Sequence, residues 1–324
     1  MAAPDDHALA ADLAERAGRL LLELRAKGGD PGALRNAGDR QSHEFLMAEL
    51  ARERPADAVL SEEGLDDKAR LTADRVWIVD PLDGTREFGE PGRTDWAVHV
   101  ALWARDTSSG VRGAASGVRG GATGMRGAAD GVRRPGAAVA EFSGTRDAST
   151  SAGDLIAGAV ALPAQGRVLS TTLATNQAGL VAERPDRRGD FRRPSEGAPA
   201  EISPGPGAQR PIRMVVSRSR ATQLVKDVAA RINADLVPCG SAGAKVATVI
   251  TGENDVYLHS GGFYEWDTAA PVAVARANGF HVSRIDGSQV AYNQEDPLLP
   301  DILVCRPAIA GLLLNAIREA KHAI

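Results

Sequence analysis

The sequence predicts an α/β protein whose helices and sheets are layered in two subdomains. Three observations lead there: helical periodicity at the start, short apolar runs that read as strands, and an alternation of helix and strand from residue 212 onward. Residues 9–25 carry apolar side chains at helical spacing, and residues 40–54 do so again. Short strands are expected near Val59 and over 76–79, where the apolar run is buried on both faces. Pro81 forbids that strand's continuation in a central ladder, and Gly84 allows a tight turn. Residues 96–103 and 156–162 read as strands, the second turning through Pro163-Ala164-Gln165-Gly166 into 167–171 as a hairpin. Beyond 212 the order is strand 212–217, helices 221–232 and 243–251, strand 256–259, helix 268–278, strand 302–305 and helix 308–321. The expected division is an N-terminal α+β subdomain over 1–172 and a C-terminal α/β subdomain over 212–324, with a pocket at their junction.

Composition bounds the function. A chain of 324 residues, 43% hydrophobic, can bury a large core. A net charge of −4 gives no general attraction for nucleic acid, and 4% aromatic content argues against base-stacking platforms. The acidic N-terminus leads into an amphipathic helix, and no run approaches a membrane span, so a soluble cytoplasmic protein is expected. Cys239 and Cys305 stand apart in apolar text and read as buried thiols.

The chemistry is carried by Trp77-Ile78-Val79-Asp80-Pro81-Leu82-Asp83-Gly84-Thr85, where two carboxylates stand three residues apart at a strand end. A hard cation such as Mg²⁺ takes carboxylate and carbonyl oxygens together with substrate phosphate, and the Leu82 carbonyl offers one more oxygen. Leu60-Ser61-Glu62-Glu63-Gly64 and Glu265-Trp266-Asp267-Thr268-Ala269-Ala270-Pro271 add acids that would complete a site for more than one ion. Each fragment alone has an ordinary reading: a surface turn, a solvated loop, and a helix N-cap at Asp267. Gly84 and Thr85 open a helical turn whose free N–H groups suit an anion, or simply cap it. Gly240-Ser241-Ala242-Gly243 opens a second helix with Lys245 on its first turns. A cation placed there works against the helix dipole, which points to an anionic ligand for Lys245 or to a solvent-facing side chain. Arg218 and Arg220, just after a strand, are further anion-binding candidates.

Taken in order, Glu62-Glu63, Asp80-Pro81-Leu82-Asp83-Gly84-Thr85 and Trp266-Asp267-Thr268-Ala269-Ala270-Pro271 resemble the lithium-sensitive, magnesium-dependent phosphomonoesterases of the inositol monophosphatase superfamily. The loop at Gly240–Lys245 is most similar to the CysQ-type 3′(2′),5′-bisphosphate nucleotidases. The resemblance implies a sandwich of alternating helix and sheet layers, Mg²⁺ as cofactor, a nucleotide substrate, and a role in sulfur metabolism. It implies Glu62, Asp80, Asp83, Asp267 and the Leu82 carbonyl as metal ligands, Thr85 with Glu62 as the pair orienting the attacking water, and Asp39 near a third, weaker ion. It implies Asp83, Gly84, Thr85, Ser241, Lys245 and Asp267 at the substrate; where Arg220 stands the family often has histidine. None of the six histidines sits in these motifs, consistent with metal-assisted hydrolysis that needs no histidine base. The expected reaction is removal of the 3′-phosphate of adenosine 3′,5′-bisphosphate. Inositol 1-phosphate and fructose 1,6-bisphosphate are alternative substrates, and an idle nucleotide- or RNA-binding protein is the alternative of another class.

Two stretches fall outside the resemblance. Residues 106–150 repeat every seven residues, with glycine before Val111-Arg112, Val118-Arg119, Met125-Arg126 and Val132-Arg133. The glycines and the single sizeable apolar residue per repeat argue for a flexible loop and against a coiled coil. Residues 182–211, rich in Pro, Arg and Gly, are expected to be disordered.

Overall fold

A computed structural model describes residues 5–106, 153–172, 210–219 and 221–322. The heptad repeat, nearly all of the 182–211 stretch and Arg220 lie outside the described residues. Helix α1 (Asp6–Ala26) starts at Asp5, whose carboxylate caps the His7 N–H, and it buries Leu9, Leu13, Ala17 and Leu21. Gly28 and Gly29, both at positive φ, turn the chain into α2 (Pro31–Glu53), which opens with Pro31 behind the capping carboxylate of Asp30. The helix expected from Arg40 therefore begins nine residues earlier, so Asp39 stands inside it.

The first sheet follows the order β1 (Ala58–Ser61), β2 (Arg75–Asp83), β3 (Ala97–Arg105), β4 (Gly153–Leu162), β5 (Arg167–Ser170), with α3 (Thr85–Gly89) between β2 and β3. The β1–β2 pair is parallel and the other pairs are antiparallel. Strand β2 does run past Pro81, contrary to expectation. It does so through an irregularity, with Asp80 opposite His99 and Asp83 opposite Ala97, so that the residue without an N–H sits where the ladder is broken.

The second sheet has the order β7-β6-β8-β10-β9, from β6 (Arg213–Ser217), β7 (Asp235–Cys239), β8 (Val256–Tyr264), β9 (His281–Ser283) and β10 (Leu298–Cys305). Short strands β7 and β9 were not anticipated; β7 is mostly exposed and carries Pro238 within its short apolar run. Helices α4 (Gln223–Arg231), α5 (Ala242–Ile250), α6 (Glu265–Ala277) and α7 (Pro307–His322) complete the fold.

Strand alternation sorts the core into three layers of side chains. On β2, Trp77 and Val79 face α1 and α2, while Val76 and Ile78 face the opposite way. On β10, Ile302 and Val304 join that second cluster, which also holds Ala244, Val249, Ala270 and Val274 from α5 and α6. Met214, Leu303 and Cys305 face α4 and α7. The result is helix, sheet, helix, sheet, helix, with α5 and α6 sandwiched between the sheets. Among the described residues no helix is long and apolar enough to cross a membrane. Cys239 is half-buried and Cys305 buried, both free, and burial pushes their thiols up to about 11 and about 12.

Candidate active site

Strand β1 ends with Ser61 beside Val79 of the parallel strand β2, which sets Glu62, the first residue past β1, next to Asp80 within β2. The Glu62 N–H reaches the Val79 carbonyl at 3.4 Å, and the two carboxyls hydrogen-bond one another. Asp83 follows at the end of β2. Gly84, at φ +83°, then turns the chain into α3; a Cβ there would stand 3.2 Å from the Asp95 carbonyl and 3.2 Å from Ser241 Cβ. Asp267 arrives from the other sheet, on the first turn of α6.

Helix α6 begins at Glu265, with Tyr264 as its cap residue, so Asp267 is not the N-cap that was expected. It lies one turn in, and its Oδ2 accepts the Tyr264 N–H at 2.6 Å. The buried Glu265 carboxylate accepts the N–H groups of Asn293 (2.7 Å) and Gln294 (2.8 Å). Asn293 Oδ1 in turn accepts from the buried guanidinium of Arg70 at 2.7 Å, and Arg70 also holds Asp66 at 2.6 Å. This network fastens the loop after Glu62 to the start of α6, which brings the two distant acids to one place. Nothing in the sequence marks Arg70, Asn293 or Glu265 beyond their polarity.

Glu62, Asp80, Leu82, Asp83, Gly84, Thr85 and Asp267 line a single cleft of about 550 Å³, together with Arg86, Glu87 and Arg218. Asp80 is fully buried, Asp83 nearly so, Asp267 half-buried and Glu62 exposed at the rim. Although Glu62 as a whole residue is exposed, desolvation of its carboxyl, which points in among the other acids, reinforced by the Asp267 and Asp83 carboxylates, pushes that group up to about 7. Burial and then Glu62, Asp83 and Asp267 hold Asp80 well above the ordinary carboxylate range. Acids that hold protons against mutual repulsion have the oxygen-rich, negative character that a hard divalent cation neutralises, so the donor set fits such an ion.

Thr85 Oγ1 lies 3.0 Å from the Leu82 carbonyl and 3.2 Å from Asp39 Oδ1, so Asp39 joins the site from within α2. Burial and the nearby Glu63 raise the Asp39 carboxyl to about 6. Ser42 donates to the Pro81 carbonyl at 2.7 Å, which fixes the turn from the same helix.

Ser241 and Lys245, expected at the substrate, are placed behind the acids and do not line the cleft. Ser241 caps α5 by accepting the Ala244 N–H, and it donates to Asp83 Oδ2 at 2.5 Å, while the Gly243 N–H donates to the same oxygen at 2.9 Å. The anion at this helix N-terminus is thus the Asp83 carboxylate. Lys245 is buried, with Nζ donating to the Gly240 carbonyl and lying 5.4 Å from the Tyr257 ring centre. Arg218 lines the cleft and is clasped by Glu90 at 2.8 Å through both terminal nitrogens and by Glu87 at 2.8 Å.

Two residues were missed. His99, fully buried, sits with Nε2 3.3 Å from Asp83 Oδ2 and Nδ1 3.1 Å from the Trp266 carbonyl. Asp80, Asp83 and His99 place ligand-type atoms within 4.8 Å of one another. The available signal was a lone histidine inside an otherwise apolar strand run. Tyr264, 45% exposed, lines the cleft and stacks on Trp266, so the low aromatic content hid one well-placed ring.

The model of the inositol monophosphatase family matches residues 8–111 and 148–322. A 3′-phosphoadenosine 5′-phosphate phosphatase of Mycobacterium leprae (strain TN) is 43% identical over 317 residues, covering 97% of this chain and 94% of the relative. The protein of the same name in Mycobacterium bovis is 42% identical, covering 94% and 90%. Among solved structures, inositol monophosphatase II from Staphylococcus aureus MSSA476 aligns with a TM-score of 0.62 at 17% identity, covering 96% of this chain and 94% of that one. CysQ from Bacteroides thetaiotaomicron aligns at 0.59 with 24% identity, covering 93% and 97%. At these identities both structures speak to the fold alone.

Proposed function

The chain belongs to the inositol monophosphatase family, and from that premise we propose that it is a metal-dependent phosphatase removing the 3′-phosphate of adenosine 3′,5′-bisphosphate. The products are AMP and phosphate. The observation that carries the reading is the convergence of Glu62, Asp80, Asp83 and Asp267 on one cleft that Thr85 and Arg218 also line. Identity of 42–43% to the named mycobacterial phosphatases over nearly the whole chain supports the substrate.

Glu62, Asp80, Asp83, Asp267 and the Leu82 carbonyl are the residues that would hold the ion, and Mg²⁺ suits an all-oxygen set of this kind. When bound, it supplies positive charge to phosphoryl oxygens and makes water more acidic. The remaining work falls to the chain. Thr85 has one hydroxyl proton and two acceptors in reach, Asp39 and the Leu82 carbonyl, so its oxygen keeps a lone pair for a water proton. Glu62, at the rim, accepts the second proton and aims that water at phosphorus. A bond forms from water oxygen to phosphorus, the bond from phosphorus to the 3′-oxygen breaks, and the 3′-oxygen takes a proton from solvent to leave as the hydroxyl of AMP, while Glu62 returns its proton to solvent. Gly84 and Thr85 bring backbone N–H groups to the phosphate, and Asp83 and Asp267 border the substrate beside them. Ser241 and Lys245 act as positioning residues, the first on Asp83 and the second on the Gly240 carbonyl. The two sheets are the two subdomains of this reading, 1–172 and 212–324. Two free thiols fit a reducing, cytoplasmic setting.

Phosphate release from adenosine 3′,5′-bisphosphate, inositol 1-phosphate and fructose 1,6-bisphosphate, with Mg²⁺, with chelator and with added lithium, tests the proposal. The expected result is the highest kcat/KM on the nucleotide, abolished by chelator and by Asp83→Asn. Equal or faster turnover of inositol 1-phosphate, or full activity of Asp83→Asn, rejects it.

A further inference from the structure

We propose that the Tyr264 ring is the platform on which the purine base of the substrate stacks, an inference that rests on the nucleotide reading above. Strand β8 ends at this residue, and its alternation buries the Phe263 ring while leaving Tyr264 45% exposed in the cleft that both border. Two glycines just before it, Gly261 at φ +127° and Gly262 at φ +83°, give the strand a path that side chains would strain. Across the ladder Tyr264 pairs with Leu298 of β10, which also lines the cleft.

The ring is held before any ligand arrives. It stacks on Trp266 with centroids 4.7 Å apart and planes 13° from parallel, and Trp266 packs against the core between the sheets. The Trp266 carbonyl meets His99 Nδ1 at 3.1 Å. The Tyr264 N–H is fixed on Asp267 Oδ2 at 2.6 Å. An aromatic side chain pinned this way loses little freedom when a second flat ring lies on it.

Its chemistry selects the ligand. Tyr264 and Leu298, 45% and 48% exposed, are the large apolar surfaces open to solvent in a cleft whose other apolar lining, Leu82 and Phe263, is buried and whose remainder is charged, hydroxylic or glycine. Phosphate and ribose have no use for that apolar face, whereas a nucleobase presents a flat π-surface that buries it. Because Tyr264 and Asp267 share the first turn of α6, the platform and the acids are in fixed register. The base therefore anchors the nucleotide, and its contribution is felt in binding without the base taking part in the chemistry.

The test compares Tyr264→Ala, Tyr264→Phe and Tyr264→Trp with the parent on adenosine 3′,5′-bisphosphate and on abasic ribose 3,5-bisphosphate. Tyr264→Ala should raise KM for the nucleotide about tenfold, within the range of base stacking measured by alanine substitution, with kcat within about twofold. Its KM for the abasic compound should be unchanged. The Phe and Trp variants should keep the parent's KM. An equal KM rise on both substrates, no rise on either, or a collapse of kcat in Tyr264→Ala overturns the proposal. A parent that releases no phosphate from the nucleotide refutes the function instead. The platform is then read from AMP binding by quenching of tryptophan fluorescence, expected in the parent and lost in Tyr264→Ala; quenching that survives in Tyr264→Ala, or is absent from the parent, overturns it.

Discussion

Replacing Gly243 by alanine reverses the usual effect of that change. In a helix, Gly→Ala stabilises by about 0.5–1 kcal/mol, and Gly243 is the second residue of α5. Here the new Cβ would stand 2.1 Å from His99 Nε2, 3.0 Å from His99 Cδ2 and 3.0 Å from Val160 Cγ1. Neither neighbour is the loose end of a flexible chain. His99 is fully buried with Nδ1 on the Trp266 carbonyl, and Val160 is a buried sheet residue. Overpacking of this kind costs about 1–3 kcal/mol, which offsets the helix gain and leaves a net loss of up to about 2.5 kcal/mol. Function should suffer more than stability, since Gly243 N–H and His99 Nε2 both meet Asp83 Oδ2 and a displaced carboxylate no longer aims at the cleft. Disturbing support of this kind weakens metal affinity by about 10–100-fold. Urea unfolding in chelator reads the first effect, and calorimetric titration with Mg²⁺ or Mn²⁺ reads the second. The control is Gly243→Ala in a His99→Ala background. With the imidazole gone the alanine should cost less than about 0.5 kcal/mol, leaving only the Val160 contact. An identical cost in both backgrounds would refute the steric account.

Two further outcomes follow from the same site. Glu62 is raised to about 7, Asp39 to about 6 and Asp80 well above its ordinary value. The folded protein therefore binds these protons more tightly than the unfolded chain, and the stability they contribute is full below about pH 4 and lost as pH rises through 7. In chelator, Tm should fall between pH 5 and 7.5. Added Mg²⁺ should restore it at the upper end and do little at pH 5; a flat Tm in chelator contradicts the buried acid cluster. Lys245→Ala should lower thermal stability by removing a buried contact to the Gly240 carbonyl, yet leave the ratio of kcat/KM values across the substrate panel unchanged. A selective loss on adenosine 3′,5′-bisphosphate would instead put Lys245 at the ligand.

Much of this architecture was legible because the signals are local. Helix α1 follows from its apolar spacing, β2 from an unbroken run, and the turn at Gly84 from a residue that must take positive φ. The start of α2 was missed because residues 31–39 carry small and charged side chains with little apolar periodicity, although Asp30-Pro31 is itself a cap-and-start signal. Strand β7 was missed because it is an exposed edge strand, and β9 because it is three residues long.

The site divides along the same line. Asp80 and Asp83 could be grouped from spacing alone, but joining Glu62 and Asp267 to them needed a family resemblance, since their meeting depends on Arg70, Asn293 and Glu265. Those three lie far apart in the chain and make their bonds only once both sheets are in place. For the same reason the sequence around Ser241 and Lys245 points to a ligand or, for the lysine, to solvent. A helix N-terminus with a serine cap advertises an anion, and the sequence cannot say whether that anion is foreign or, as here, the chain's own Asp83. Occupying that terminus with a protein carboxylate is what orients Asp83: one of its oxygens is held by Ser241 and Gly243, which fixes the direction of the other. The residues that confer order on the site are thus the ones with no motif, and they are where substitution should separate metal binding from folding.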